Sequence, residues 1–310
     1  MEQTIYGTSA PHIKGKLNTG RIMLYVILAL LPAGIHGIWR YGFSAAVVIF
    51  LTCVSAVVTQ FLFEKITKKP STIKDGRGIV TALVMSYCIP ATVEWYVAVL
   101  AGVLCTLIMR LGLHFFERNV VSPVIMTRLI LIYAFHEQMT MYLFDGLTMA
   151  TPLTALKAGE EVNTLFMILG KTGGCIGESS ALLLCLGAIF LIMAGVMDFR
   201  VSGMYLFSFA AFMAVFGGHG LSSYYLTAQL AGGGFMLAVW FIAPAYSTLP
   251  ITKGGRWIYG TLLGLLTGVF RLFGPAAENI CFAVLIANLC VPFIEKMTVR
   301  SPFGVEKGTL

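Results

Sequence analysis

Thr148 and Thr151 stand close together in Asp145-Gly146-Leu147-Thr148-Met149-Ala150-Thr151-Pro152, a short polar loop between long apolar runs. A threonine hydroxyl is a weak nucleophile, so a group becomes fixed to it when a separate enzyme delivers that group. Such an enzyme needs an exposed loop with small residues beside the hydroxyl, which Gly146 and Ala150 supply. Read without that chemistry, the stretch is a turn in which Asp145 caps Leu147 or Thr148. Carboxylates offer a second kind of chemistry, because acids inside apolar spans are rare and functional by default. Glu178, in Gly177-Glu178-Ser179-Ser180, lies a few residues into one apolar run, and Glu278 begins another. Both are ion-pathway candidates. Asp75 and Asp198 fall at run ends and read as solvated flanks.

Other constellations lead nowhere. Gly170-Lys171-Thr172 looks like the end of a phosphate-binding loop, but that motif needs a glycine where Leu165 stands. The seven cysteines lie in or beside apolar runs with no C-x-x-C pair. Zinc or an iron–sulfur cluster held by this chain alone is therefore not expected, and the thiols read as small apolar residues. His12, His36, His114, His136 and His219 have no haem-like or zinc-like spacing.

These residues must be positioned by a membrane. Of 310 residues, 58% are hydrophobic and 11% charged, with a mean hydropathy of +0.86; soluble domains carry roughly 25% charged residues. A spanning helix needs about 20 apolar residues. Candidate runs are 22–39, 43–63, 78–93, 95–114, 124–143, 175–197, 203–218, 224–243, 258–274 and 279–294. The fold class expected is an all-α integral membrane protein with about ten transmembrane helices. The first run follows Lys14, Lys16 and Arg21, but its length and the lack of a small-x-small cleavage site make it a retained helix.

Net charge is +7. With a cytoplasmic N-terminus and ten spans, Arg40, Lys157, Lys171 and Arg271 fall on the far side, and the rest of the 21 basic residues fall inside. That is the positive-inside pattern, so the charge reads as topology and contact with anionic lipid rather than nucleic acid. Both termini are then cytoplasmic. Residues 1–144 form a first half of five spans, 145–163 an extracytoplasmic loop, and 164–310 a second half of five spans. An odd number per half inverts one half relative to the other. Leu100-Ala101-Gly102-Val103-Leu104 followed by Arg110 resembles Leu262-Leu263-Gly264-Leu265-Leu266 followed by Arg271, in the fourth and ninth runs. Glycine clusters at 173–174, 217–220, 232–234 and 254–255 read as helix breaks or close helix contacts.

The heptad Asp145-Gly146-x-Thr148-x-Ala150-Thr151 resembles the motif Asp-Gly-x-Ser/Thr-x-Ala-Thr flavinylated by ApbE-type transferases, in which the last threonine takes the flavin. The chain also resembles the RnfD/NqrB family from end to end. Matching segments include Pro11-His12, Asp75 with Thr81-Ala82-Leu83, Asn119 through Pro123, and Asp145 through Leu153. Gly173 with Ile176-Gly177-Glu178, Gly255-Arg256, Leu266-Thr267 with Arg271, and Glu278 with Asn288 continue the series. The chain departs from that family's Asp-Pro-x-Thr-Ser-Pro at Ala243-Pro244-Ala245-Tyr246-Ser247-Thr248.

The resemblance, closest to the short-tailed RnfD type, implies membership of an ion-translocating ferredoxin:NAD oxidoreductase in the bacterial cytoplasmic membrane. It implies FMN esterified to Thr151, a second noncovalent riboflavin, and A-, B-, C-, E- and G-type Rnf subunits as partners beside the transferase. Asp145, Gly146, Thr148, Ala150, Pro152, Gly173, Gly174, Gly177 and Asn119 are the accompanying flavin-site candidates. A glycine-rich helix start suits a phosphate, and the flavin itself supplies the redox chemistry. The rival readings are a cofactor-free secondary transporter or channel, and a structural scaffold subunit.

Overall fold

The computed structural model describes residues 18–68, 72–112, 114–115, 118–119, 121–144, 147–148, 152–157, 162–218, 220–274 and 279–299. Among them the regular structure is helical apart from two hairpins of two-residue strands. α1 (Thr19–Tyr41), capped by Asn18, meets α2 (Phe43–Ile66) at Gly42, whose φ of 74° suits glycine. α3 (Arg77–Tyr87) and α4 (Trp95–Leu111) follow. A hairpin of β1 (His114–Phe115) and β2 (Arg118–Asn119) leads to α5 (Pro123–Ala134) and α6 (His136–Thr140). β3 (Leu143–Phe144) pairs with β4 (Leu147–Thr148) before α7 (Pro152–Lys157) and α8 (Thr164–Leu169). A 3-10 turn at Ile176–Ser179 introduces α9 (Ala181–Met193). α10 (Phe199–Phe216) and α11 (Ser223–Ala231) precede α12 (Phe235–Leu237), which runs on as a π turn through Ala238–Ile242. α13 (Lys253–Phe273) and α14 (Asn279–Thr298) complete the order.

Among the described residues four helices, α1, α2, α10 and α14, are long and apolar enough to cross a bilayer. A fifth crossing is made if α11 and the segment from Phe235 to Ile242, bent by 65°, count as one. Several of the other expected runs are built from shorter helical pieces. Run 78–93 is α3 followed by non-helical backbone that includes Pro90, a residue without an N–H to give a helix ladder. Run 124–143 is divided at Phe135, run 175–197 opens with the 3-10 turn, and run 224–243 breaks at Gly232–Gly234. Non-helical backbone at membrane depth persists where protein buries it, and three of these breaks, after α3, at the 3-10 turn and at Gly232–Gly234, pack on one another.

Two helix crossings set the frame. Along α2 and α4, a Cβ at Gly102 would collide with Ser55 Oγ and the Thr52 carbonyl. Along α10 and α13, a Cβ at Gly264 would collide with Ser208 Oγ. In both, a hydroxyl reaches the carbonyl four residues before the glycine: Thr52 Oγ1 donates to Ala98 O at 3.2 Å, and Ser208 Oγ to Gly260 O at 3.4 Å.

Polar contacts then clamp the helix ends. Glu64 Oε1 accepts from Thr72 Oγ1 at 2.6 Å and Arg110 Nη2 at 2.9 Å, Arg256 Nη1 lies 2.6 Å from Asp198 Oδ2, and Ile251 N–H donates to Glu295 Oε1 at 3.0 Å. Elsewhere Tyr41 Oη donates to Thr172 O at 3.3 Å, Thr92 Oγ1 to Met141 O at 2.8 Å, and Lys157 Nζ to Gly274 O at 3.0 Å.

Candidate functional site

The helix breaks converge. α3 stops at Tyr87, whose hydroxyl donates to Leu30 O in the middle of α1 at 2.9 Å. Two residues later Ile89 O accepts from Ile176 N–H at 3.1 Å, bringing the 3-10 turn against the end of α3. The third party is the Gly232–Gly234 break, where Gly233 and Gly234 take φ of +66° and +69°. A side chain there is strained, so three glycines in a row end α11 and restart the helix at Phe235.

Glu178 projects from the 3-10 turn, half-buried, with one carboxyl oxygen against Gly174 and the other against Gly234. A Cβ on Gly174 would come within 2.6 Å of Oε2, and one on Gly234 within 2.8 Å of Oε1. These glycines therefore let backbone approach the carboxylate. Gly177 is buried and faces Tyr87 and Leu237; its added Cβ would lie 2.5 Å from Tyr87 Cβ. Gly174 and Gly177 thus permit close packing, while Gly173 is half-buried.

Two guanidinium groups adjoin the break. Arg271, 1% exposed, donates through Nη1 to Gln229 O at 2.7 Å and through Nη2 to Gly232 O at 3.0 Å. It lies over the Phe209 and Phe235 rings, 5.5 and 5.8 Å from their centroids. Arg128 of α5 is 9% exposed and reaches Cys175 Sγ at 3.7 Å. The positive-inside pattern puts Arg128 on the cytoplasmic flank and Arg271 on the far side; the structure packs both guanidinium groups inside protein. Arg128 was legible as a charge five residues into an apolar run, the signal that marks a functional candidate inside a membrane.

The segment after the threonine loop docks on this centre. Leu153 of α7 is buried, 3.3 Å from where Gly233 would carry a Cβ. Lys157 ends α7 beside Gly274, and partial burial together with the Arg271 charge holds its ammonium below the usual lysine range. Pro152, half-buried, starts α7. Asp145, Gly146, Ala150, Thr151 and Glu278 lie outside the described residues. Thr148 sits in β4 and Asn119 in β2, hairpins that leave α5 in opposite chain directions. Gly170-Lys171 ends α8 with a left-handed glycine, and Lys171 lies over the Phe166 ring.

A half-buried carboxylate, two buried cations and freed backbone groups suit ion or cofactor handling at the meeting point of broken helices. The NQR2, RnfD, RnfE family model matches residues 7–304. This chain belongs to that family. Within it, the D-type subunit of the Na(+)-translocating ferredoxin:NAD(+) oxidoreductase complex of Acetobacterium woodii is 33% identical over 97% of this chain and 95% of its own length. The D-type subunit of the proton-translocating ferredoxin:NAD(+) oxidoreductase complex of Clostridium ljungdahlii is 29% identical over 97% and 96%. The D-type subunit of the ion-translocating oxidoreductase complex of Actinobacillus succinogenes is 31% identical over 94% and 95%. Similar identities to a sodium- and a proton-translocating relative mean that overall likeness does not select the ion.

Proposed function

We propose that this chain is the D-type membrane component of an ion-translocating ferredoxin:NAD+ oxidoreductase complex, passing electrons through an FMN esterified to Thr151. The observation that carries the reading is the heptad Asp145 to Thr151 standing in a chain of this family. Docking of Leu153 on the Gly232–Gly234 break supports it, since it ties the residues after Thr151 to the core. Thr151 would hold the group through its phosphate, directly before α7 in the chain. The bound flavin would supply one-electron transfer. A noncovalent riboflavin, an ApbE-type transferase, and A-, B-, C-, E- and G-type subunits complete the assembly.

Ten crossings in two inverted halves, with both termini cytoplasmic, form part of the same proposal. The matched crossings at Gly102 and Gly264 support it. So do the end contacts, since Glu64 with Arg110 and Asp198 with Arg256 join ends that this topology puts inside, and Lys157 with Gly274 joins ends that it puts outside. Glu178, with Glu278, is the ion-path carboxylate, and movement of one half against the other would couple redox state to Na+ or H+ passage. A Glu178→Gln complex should keep electron transfer and lose pumping; normal pumping removes Glu178 from the path.

The convergence of broken helices on Glu178 by itself also favours a cofactor-free transporter. Peptide mass spectrometry on native protein separates the two. An added mass of FMN minus water on the Thr151 peptide, with in-gel flavin fluorescence lost in Thr151→Ala, supports the redox role. An unmodified Thr151 in the assembled native complex sinks the covalent flavin.

A further inference from the structure

Among the described residues the buried cation Arg128 has no carboxylate in contact. Among the described residues it forms no ion pair, and its Nε has no hydrogen-bond partner. Glu178 feels its charge without pairing, the carboxyl oxygens lying against Gly174 and Gly234 instead. Arg128 Nη2 meets the Cys175 sulfur, and a thiol accepts hydrogen bonds weakly. Arginine stays ionised in any protein setting, so this charge needs an anion or a strong dipole in contact to offset the loss of water. Arg271, also beside the Gly232–Gly234 break, has such dipoles in the carbonyls of Gln229 and Gly232.

Beside Arg128 lies a cavity of about 20 Å³, walled also by Cys88, Cys281, Gly233, Gly234 and Ala238. One water-sized particle needs roughly 10–15 Å³ by this measure, so the space takes a single small particle. Gly233 and Gly234 have positive φ and precede a helical stretch running unbroken from Phe235 to Ile242. Successive N–H groups in such turns form concavities that favour negative charge. The walls bring thiols and a guanidinium, which repel or ignore a hard cation. A neutral water would fill the space but leave Arg128 without a contacting anion.

We propose that this cavity binds one small monovalent anion of halide size, held by Arg128 and the Gly233–Gly234 turn. Sulfate, phosphate and carboxylates are too large for it. The bound anion joins α5, the Gly232–Gly234 break and α14, which contributes Cys281, and so fastens the break to both halves of the chain. The site is independent of any flavin on Thr151.

The test is equilibrium binding of radiochloride to the intact complex purified in sodium gluconate. Wild type is compared with Arg128→Gln and with Ala238→Val, whose added methyl groups occupy the cavity and leave Arg128 in place. The wild type should bind one more chloride per copy of this chain than either variant, displaced by bromide and not by sulfate. Exchange of gluconate for chloride at constant ionic strength should raise the melting temperature of the wild type and leave Ala238→Val unmoved. Equal chloride binding by wild type and Ala238→Val overturns the proposal, as does the absence of saturable binding to wild type. Should Arg128→Gln fail to assemble, Ala238→Val decides alone.

Discussion

Arg271 and Arg128 are both removed from solvent, 1% and 9% exposed, but the fold surrounds them differently. Arg271 sits where α11 ends, and its donors meet the last carbonyls of that helix while its face lies on two aromatic rings. Unsatisfied carbonyls give a helix C-terminus a partial negative charge that favours a cation. Arg128 lies inside α5, faces sulfur, and borders a cavity. A charge met by backbone dipoles holds the break in place. A charge left beside a cavity is suited to a ligand. The distinction comes from what surrounds each guanidinium and not from its depth.

Substitution by methionine separates the two most strongly. Arg271→Met leaves the Gln229 and Gly232 carbonyls without this donor at a buried helix break, and each buried acceptor left unsatisfied costs about 1–3 kcal/mol. The melting temperature of the complex should fall sharply. Arg128→Met places an apolar chain among Cys88, Cys175 and Cys281, and in chloride-free buffer it should be near neutral or stabilising. Equal losses in the two variants would erase the distinction.

The paired crossings sharpen the comparison between halves. Gly102→Ala and Gly264→Ala each push a methyl group into the serine of the facing helix, an overpacking that costs about 1–3 kcal/mol. If the halves are built alike, the two losses in thermal stability should agree to within about 1 kcal/mol. A large loss at Gly264 beside none at Gly102 would show that α10–α13 alone bears the packing.

Much of this was legible in the sequence and some was not, for physical reasons. The apolar runs are real helical material, yet hydropathy does not see whether backbone is continuous. The three glycines at 232–234 announced their break, and Pro90 was available as a signal for the end of α3. Phe135 gave none. Glycine composition could not say what each glycine faces: Gly177 faces Tyr87, and Gly174 the Glu178 carboxylate. Sorting basic residues by side treats each one as a loop charge and so hides Arg128, which is a helix-interior charge. The threonine heptad remains a matter of sequence, since Thr151 lies outside the described residues.

The smallest effect belongs to the charges at helix ends, which contrast with both buried arginines. Asp198 caps α10 by accepting from the Arg200 N–H at 3.1 Å and pairs with Arg256 at 2.6 Å. Partial burial works against its ionised form, but the Arg200 N–H, the Arg256 hydrogen bond and the two arginine charges outweigh it and hold the carboxyl below the usual aspartate range. A carboxyl depressed in the folded state adds stability above its unfolded pKa, near 3.9 for aspartate, and loses it as pH falls through the lower folded value. Asp198→Asn should therefore cost about 1 kcal/mol at neutral pH, measured as a lower melting temperature. The gap from wild type should hold constant from pH 8 to about pH 5 and close only as the medium is taken below about pH 4. A gap that closed near neutrality would mean that a group other than Asp198 carries this contact, and that the end clamps depend on a titration in the interior.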